Sequence, residues 1–371
     1  LDIDVFNLRA CAAQQQYNAT ELAELAKQLA LPLLDGLDLH NYPDFQYWLI
    51  AQRQQLIQLH SEVMSKIAAA KHSATDTAKT PPLPAWRGQT PQQQADIRYC
   101  SGDDGVKIAY TSLGNGWPLV KAPALLNHLQ YDWHAPLWGQ IFHQLAANHQ
   151  LIRYDDRGSG MSEHNISGVC VDDLRQDLAT VVEANNLSKF ALLGISNSAA
   201  LCIDYAVRHP ERVSHLILFN GYAAGWRVDG DPQLREKIEA IIALAETGWE
   251  QENTAFRRFF SMTFVPDASQ QELDWFNEYL LLAANAKNAA AIMSAFADWD
   301  LRAKLAQVKV PTLVIHSLGD EAVLAISGRE IAATIPGAEF VGLNSTSHLL
   351  LEREPSAQQF VDIVQDFISR H

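Results

Sequence analysis

Beyond residue 97 the apolar positions switch repeatedly between short runs and stretches that repeat every three to four residues. The runs at 98–100, 106–110, 119–126, 151–154, 190–193, 216–219, 312–315 and 340–343 have the length of strands. Asp104-Gly105 between the first two is a hairpin signal, and Pro123 interrupts the third. Between the runs, 171–186, 199–207 and 356–368 keep a helical period. Strands alternating with helices over some 270 residues predict an α/β class fold, a mostly parallel sheet covered on both faces. A stretch from about 222 to 300 interrupts the alternation and reads as a helical cap. It is rich in large aromatics, among them Trp226, Trp249, Phe260 and Trp275.

The first 71 residues have a different pattern, and it predicts a small all-helical segment. Val5, Phe6, Leu8 and Ala12 suggest one helix. Leu22, Leu25, Ala26 and Leu29 recur at i, i+3, i+4 and i+7 and give a second, with Asn18 and Glu21 at capping-box spacing. A third, longer helix is expected from about 43 to 70, after Leu31-Pro32 and Gly36 close the second. Such helices suit a small bundle, a docking arm or a dimerisation element, so a homodimer is one expectation. Residues 72–97 turn to Ser, Thr, Ala, Lys and Gln around Pro81-Pro82-Leu83-Pro84, the composition of a linker.

Composition narrows the function classes. With 48% apolar and 19% charged residues the chain is expected to be globular, and no apolar run approaches the roughly 18 residues that cross a bilayer. A formal charge of −15 would repel a phosphate backbone, so the chain by itself is not expected to grip nucleic acid. Cys11, Cys100, Cys170 and Cys202 show no C-x-x-C spacing and suit unpaired thiols in a reducing cytoplasm. The chain starts at Leu1 without a signal peptide and reads as a trimmed one. Phosphate loops, dinucleotide fingerprints and metal-ligand spacings are missing from the sequence, so no cofactor and no metal is expected.

The candidate chemistry starts at Gly194-Ile195-Ser196-Asn197-Ser198, where a strand-like run meets a helix-like one. A serine on such a tight turn is thrust out of the sheet, within reach of a substrate carbonyl. The N–H of Asn197 at the new helix's start is then free to hold an oxyanion. The usual pattern ends in Gly where this chain has Ser198, a residue still small enough to fit.

Residues 98–371 resemble the α/β-hydrolase family. The resemblance rests on this elbow, on Asp156-Arg157-Gly158-x-Gly160-x-Ser162, and on an acid and a histidine further on. Within the family the chain is most similar to hydrolase domains fused to bacterial regulators and cyclases, through Tyr131-Asp132-Trp133, Gly248-Trp249 and Trp275-Phe276-Asn277-Glu278. The resemblance implies the chain order Ser, acid, His, met here by Ser196, Asp320 and His348, each after an expected strand. Glu321 is a neighbouring rival for the acid, and His316 and His128 are rival histidines, His316 suiting a structural place at its strand end. The family's second oxyanion donor follows the third strand, where Asn127-His128-Leu129 stands for the usual His-Gly-x, so Leu129 is the expected donor. Asp156 and Arg157 are expected to tie loops together. His128, Trp133, Trp226, Trp249, Phe260 and Trp275 are expected around a pocket for a small, largely apolar ester.

Residues 1–71 resemble part of the bacterial transcriptional activator domain, through Leu1-Asp2-Ile3-Asp4-Val5-Phe6, Pro32-Leu33-Leu34-Asp35-Gly36 and above all 44–53. That resemblance implies a regulator whose DNA contact belongs to a domain absent from this chain. Two functions follow as expectations: a serine hydrolase of the esterase kind, or a ligand sensor that controls an attached DNA-binding domain.

Overall fold

The computed structural model describes residues 96–228, 232–251 and 254–370. The helices expected over 1–71 and the linker to residue 95 lie outside the described residues. Eight strands form one sheet: β1 (Arg98–Ser101), β2 (Lys107–Leu113), β3 (Trp117–Lys121), β4 (His149–Tyr154), β5 (Phe190–Ile195), β6 (Val213–Phe219), β7 (Thr312–Ser317) and β8 (Glu339–Leu343). Their order is β1-β2-β4-β3-β5-β6-β7-β8. β1 and β2 pair antiparallel, as do β2 and β4, and the remaining pairs are parallel. The expected mostly parallel sheet is therefore observed. The third strand is shorter than the apolar run suggested. Its last rung is Ala122 N–H to Leu193 C=O at 2.9 Å, and Pro123 has no N–H to continue.

Strand alternation divides the core in two. Val120, Phe190, Leu192, Leu216, Leu218 and Val314 face one layer. There they meet α3 (Val171–Ala184), α4 (Ser198–Arg208), α9 (Arg302–Leu305) and α10 (Ala325–Thr334). Leu119, Ala191, Leu193, Ile217, Phe219, Leu313 and Ile315 face the other layer, against α2 (Gly139–Asn148) and α11 (Pro355–Arg370). The period of two is what places apolar residues on both faces of a covered strand.

One turn of helix, α1 (Leu129–Asp132), follows β3. Between β6 and β7 the chain leaves the sheet for α5 (Pro232–Gly248), α6 (Ala255–Phe264), α7 (Gln270–Ala283) and α8 (Ala286–Ala295), where the cap was expected. Its interior is aromatic: Trp249 packs edge-on to Phe260 at 5.4 Å and donates from Nε1 to Ala284 C=O at 2.9 Å. Ser269 and Glu272 close a capping box on α7, whose spacing is legible in the sequence. Cys100, Cys170 and Cys202 carry free thiols. Among the described residues no helix is long and apolar enough to cross a membrane.

Candidate active site

Ser196 leaves β5 with φ of +56°, a left-handed backbone that a non-glycine residue adopts at a cost of about 1–3 kcal/mol. The surroundings force it. Ser196 N–H donates to Phe219 C=O at 2.9 Å, tying the turn to the end of β6. Tight packing supplies the rest: a Cβ on Gly194 would lie 2.8 Å from both Ala199 Cα and Ser198 C=O. A Cβ on Gly221 would lie 2.3 Å from that of Ala199. Ser198, in the position where a glycine is usual, turns its hydroxyl back onto Ile195, accepting from its N–H and donating to its C=O, both at 2.9 Å. The extra side chain is thereby absorbed into the turn.

The ends of β7 and β8 bring the other two residues together. His348 Nδ1–H donates to Asp320 Oδ2 at 2.6 Å, with both side chains buried. The other carboxylate oxygen accepts from the N–H groups of Ala322 and Val323 at 2.8 and 3.2 Å, so Asp320 is fixed before it meets the imidazole. Glu321, the rival acid, is exposed. His316 donates from Nε2 to Val323 C=O at 2.9 Å and stands 3.8 Å from Asp320, a structural place in the same loop; burial lowers its pKa.

With its proton on Nδ1, His348 carries a lone pair on Nε2. That nitrogen is buried and has no hydrogen-bond partner among the described residues. A buried polar atom left unpaired is uncommon, and here it is the atom that would accept a proton from a nucleophile. Ser196 is itself only 9% exposed, at the end of the strand beside β6, and Asn220, the residue after β6, bonds to His348.

Asn220, which the pattern of the sequence did not single out, joins three strand ends. Its φ is +47°, its Oδ1 accepts from Ser317 N–H at 2.7 Å and its Nδ2 donates to His348 C=O at 2.7 Å. Asparagine just after an apolar run and just before Gly221 was the available signal, since it tolerates this backbone. The cap contributes too. Phe264 C=O, at the end of α6, accepts from the N–H groups of His348 and Leu349 at 2.8 and 3.2 Å.

The oxyanion residues divide. Asn197 is the N-cap just before α4, and its N–H has no partner among the described residues. Leu129 is a correction: its N–H is taken by both oxygens of Asp155, at 3.0 and 3.1 Å, and is not free. Burial, with Asp132 nearby, lifts Asp155 to about 7, and its second partner is Met161 N–H at 2.8 Å. The N–H left without a partner in that loop, among the described residues, includes that of His128. Burial pushes the His128 imidazole down to about 4, and its ring meets Tyr131 edge-on at 4.5 Å. Arg157 is structural, as expected, holding Asp177 through two bonds at 2.8 and 2.7 Å and Asp104 at 2.7 Å.

A cavity of about 60 Å³ lies against the candidate site, touching Ile195 and Leu349, the neighbours of Ser196 and His348. Its walls come from β3, α2, β5, β6 and α11, with Phe142, Phe219 and Phe360 among them. None of the six expected pocket residues lines it, which corrects that expectation for this cavity. Trp249 and Phe260 fill the cap, Trp275 stacks on Tyr279 at 5.0 Å, and Trp133 lies on His143 and Arg153. Trp226 is buried beside Arg227. Large aromatics satisfy one another first, and so the wall falls to others, such as Trp138. Among the described residues no group of three His, Cys, Asp or Glu side chains could hold a metal.

Known proteins share this arrangement of the chain. A 3-oxoadipate enol-lactonase of Acinetobacter baylyi is 25% identical over 252 residues, covering 67% of this chain and 89% of its own. The AB hydrolase superfamily protein YisY of Bacillus subtilis is 26% identical over 264 residues, covering 67% and 91%. The crystal structure of an enol-lactonase from Burkholderia xenovorans superposes with a TM-score of 0.61 at 24% identity, over 73% of this chain and 100% of that one, a likeness of fold. The family model for the alpha/beta hydrolase fold matches residues 118–355, a span that holds the serine turn and the loops of Asp320 and His348. This chain belongs to the α/β-hydrolase family.

Proposed function

We propose that the chain hydrolyses small carboxylic esters or similar acyl compounds, with Ser196 as nucleophile, His348 as base and Asp320 as its orienting acid. The unpartnered, buried Nε2 of His348, opposite an Nδ1–H held by Asp320, carries the proposal. Ser196 Oγ attacks the carbonyl carbon and its proton passes to Nε2. The carbonyl π electrons move onto oxygen, where the N–H of Asn197 faces the growing charge. As the intermediate collapses, the alkoxide leaves with the proton from Nε2. Water then repeats the sequence on the acyl-Ser196 ester and frees the acid. Relatives that carry hydrolase and enol-lactonase names fit this class of substrate.

The same reading places the domain in a bacterial transcriptional regulator of the cytoplasm, on the strength of the 44–53 stretch and its neighbours. DNA would be met only by a domain outside this chain. If turnover is slow or absent, the pocket serves as a ligand sensor for that domain.

Short- and medium-chain p-nitrophenyl esters test the proposal. Turnover by the full chain should fall by at least about 1,000-fold in Ser196→Ala. Unchanged turnover in the variant would remove Ser196 as nucleophile. No turnover in either protein, with thermal stabilisation by a bound metabolite, would favour the sensor.

A further inference from the structure

β3 carries a lysine where its neighbours are apolar. Leu119 and Lys121 share one face by the period of two, and that face belongs to the layer under α2 and α11. Lys121 is only 2% exposed and lines the cavity beside Ser196. Its ammonium has no hydrogen bond and no ion pair among the described residues; its nearest recorded contact is the Phe142 ring, 5.6 Å from Nζ to centroid.

The charges around it are spent elsewhere. Asp132 of α1 accepts from Tyr279 at 2.6 Å and from Asn127, Trp138 and Arg153 at 3.3 Å each. Asp155 accepts from Leu129 and Met161, and burial raises the pKa of Asp156 far above the usual carboxylate range. Arg153 of β4, beside Lys121 in the strand register, adds a second positive charge. Asn127, also on the cavity wall, is buried with Oδ1 unpaired. A buried ammonium with no direct ion pair is costly to keep, and such groups in a cavity mark binding sites.

We propose that the cavity beside Ser196 is a carboxylate-recognition subsite, with Lys121 as the specificity residue for acyl substrates that bear a second, distal carboxylate on a short aliphatic chain. The substrate class follows from the walls. One cation stands among apolar side chains, which suits a single anionic end on an apolar body. The volume has room for roughly four or five water-sized groups. Lys121 pairs with Leu193 across the strands, three residues before Ser196, about 10 Å along the sheet. A chain of a few carbons spans from the nucleophile to a lysine that reaches up from there.

The inference rests on the hydrolase reading for its substrate but not for its binding. With the full chain, kcat/KM for monoethyl glutarate should exceed that for ethyl pentanoate by at least about tenfold. In Lys121→Met, an apolar replacement of similar length, the ratio should fall to near one. A wild-type ratio near one, or a ratio kept by the variant, overturns the subsite. Ser196→Ala should abolish both rates, and activity that survives it counts against the hydrolase reading alone. If neither ester is hydrolysed, calorimetry with glutarate decides. Binding to Ser196→Ala that weakens at least about tenfold in the Ser196→Ala, Lys121→Met double variant supports the subsite. Equal binding by both, or none, overturns it. A matching melting temperature for Lys121→Met separates lost recognition from lost folding.

Discussion

A single carboxylate separates a histidine that can act from one that only packs. Asp320 bonds to His348 at 2.6 Å and stands 3.8 Å from His316; His348 keeps Nε2 unpaired beside the serine turn, whereas the unpaired Nδ1 of His316 packs against Gly328. Asp320→Asn keeps the shape but loses the acceptor that fixes the tautomer, and kcat on p-nitrophenyl esters should drop by about 10,000-fold. A drop of less than about tenfold would mean that the acid is not coupled to the chemistry. Lys121 gives a second residue-scale prediction. Burial, opposed by Asp132, brings its ammonium down to about 8, with Arg153, Asp155 and Asp156 the other ionisable groups beside it. Carboxylate recognition needs the protonated form, so the preference for monoethyl glutarate over ethyl pentanoate should be constant in neutral solution and fall as pH rises through about 8. A ratio of rates cancels any pH dependence common to both esters. A preference unchanged to about pH 10 would exclude Lys121 as the contact.

Elements set the site by where they end. β5, β6, β7 and β8 finish along one rim, and Asn220 fastens the ends of β6 and β7 to the His348 loop. The serine turn depends on close approach, and Gly194→Ala should lower stability by about 1–3 kcal/mol because the new methyl meets backbone at 2.8 Å. A melting temperature equal to that of the wild type would show that the turn can open without cost. The cap is tied to the site through Phe264 C=O, so Trp249→Ala, which empties the cap interior, should cost about 3–5 kcal/mol and also lower kcat. An unchanged kcat in a destabilised variant would show that the cap and His348 act independently. Strands were legible because their alternation is governed by burial on both faces, as in Phe190 to Leu193. β3 ended early at Pro123, and α1 and α2 went unread because Trp133 and Trp138 gave a loop-like aromatic cluster instead of a clean helical period.

Across the whole molecule, the order of Ser196, Asp320 and His348 could be read from sequence, since each follows a strand in a simple alternating chain. Contacts that depend on folding could not. Leu129 was placed by its position after β3, yet Asp155 from the next loop captures its N–H. The pocket aromatics were chosen by type, yet most pack on each other, and the cavity wall came from α2 and α11 across the sheet. Nothing in the sequence sets Lys121 apart from an ordinary strand charge, because its lack of a direct ion pair depends on Asp132 and Asp155 bonding to other groups in the fold. The sheet, the cap and the three loops converge on one claim, that Ser196 is made reactive by a histidine remote in sequence. Labelling with a fluorophosphonate, read by mass spectrometry of the digested full chain, tests it directly. The phosphonyl mass shift should fall on Ser196 in the wild type and should slow severely in His348→Asn. Labelling elsewhere, or at Ser196 at the same rate without His348, would contradict it.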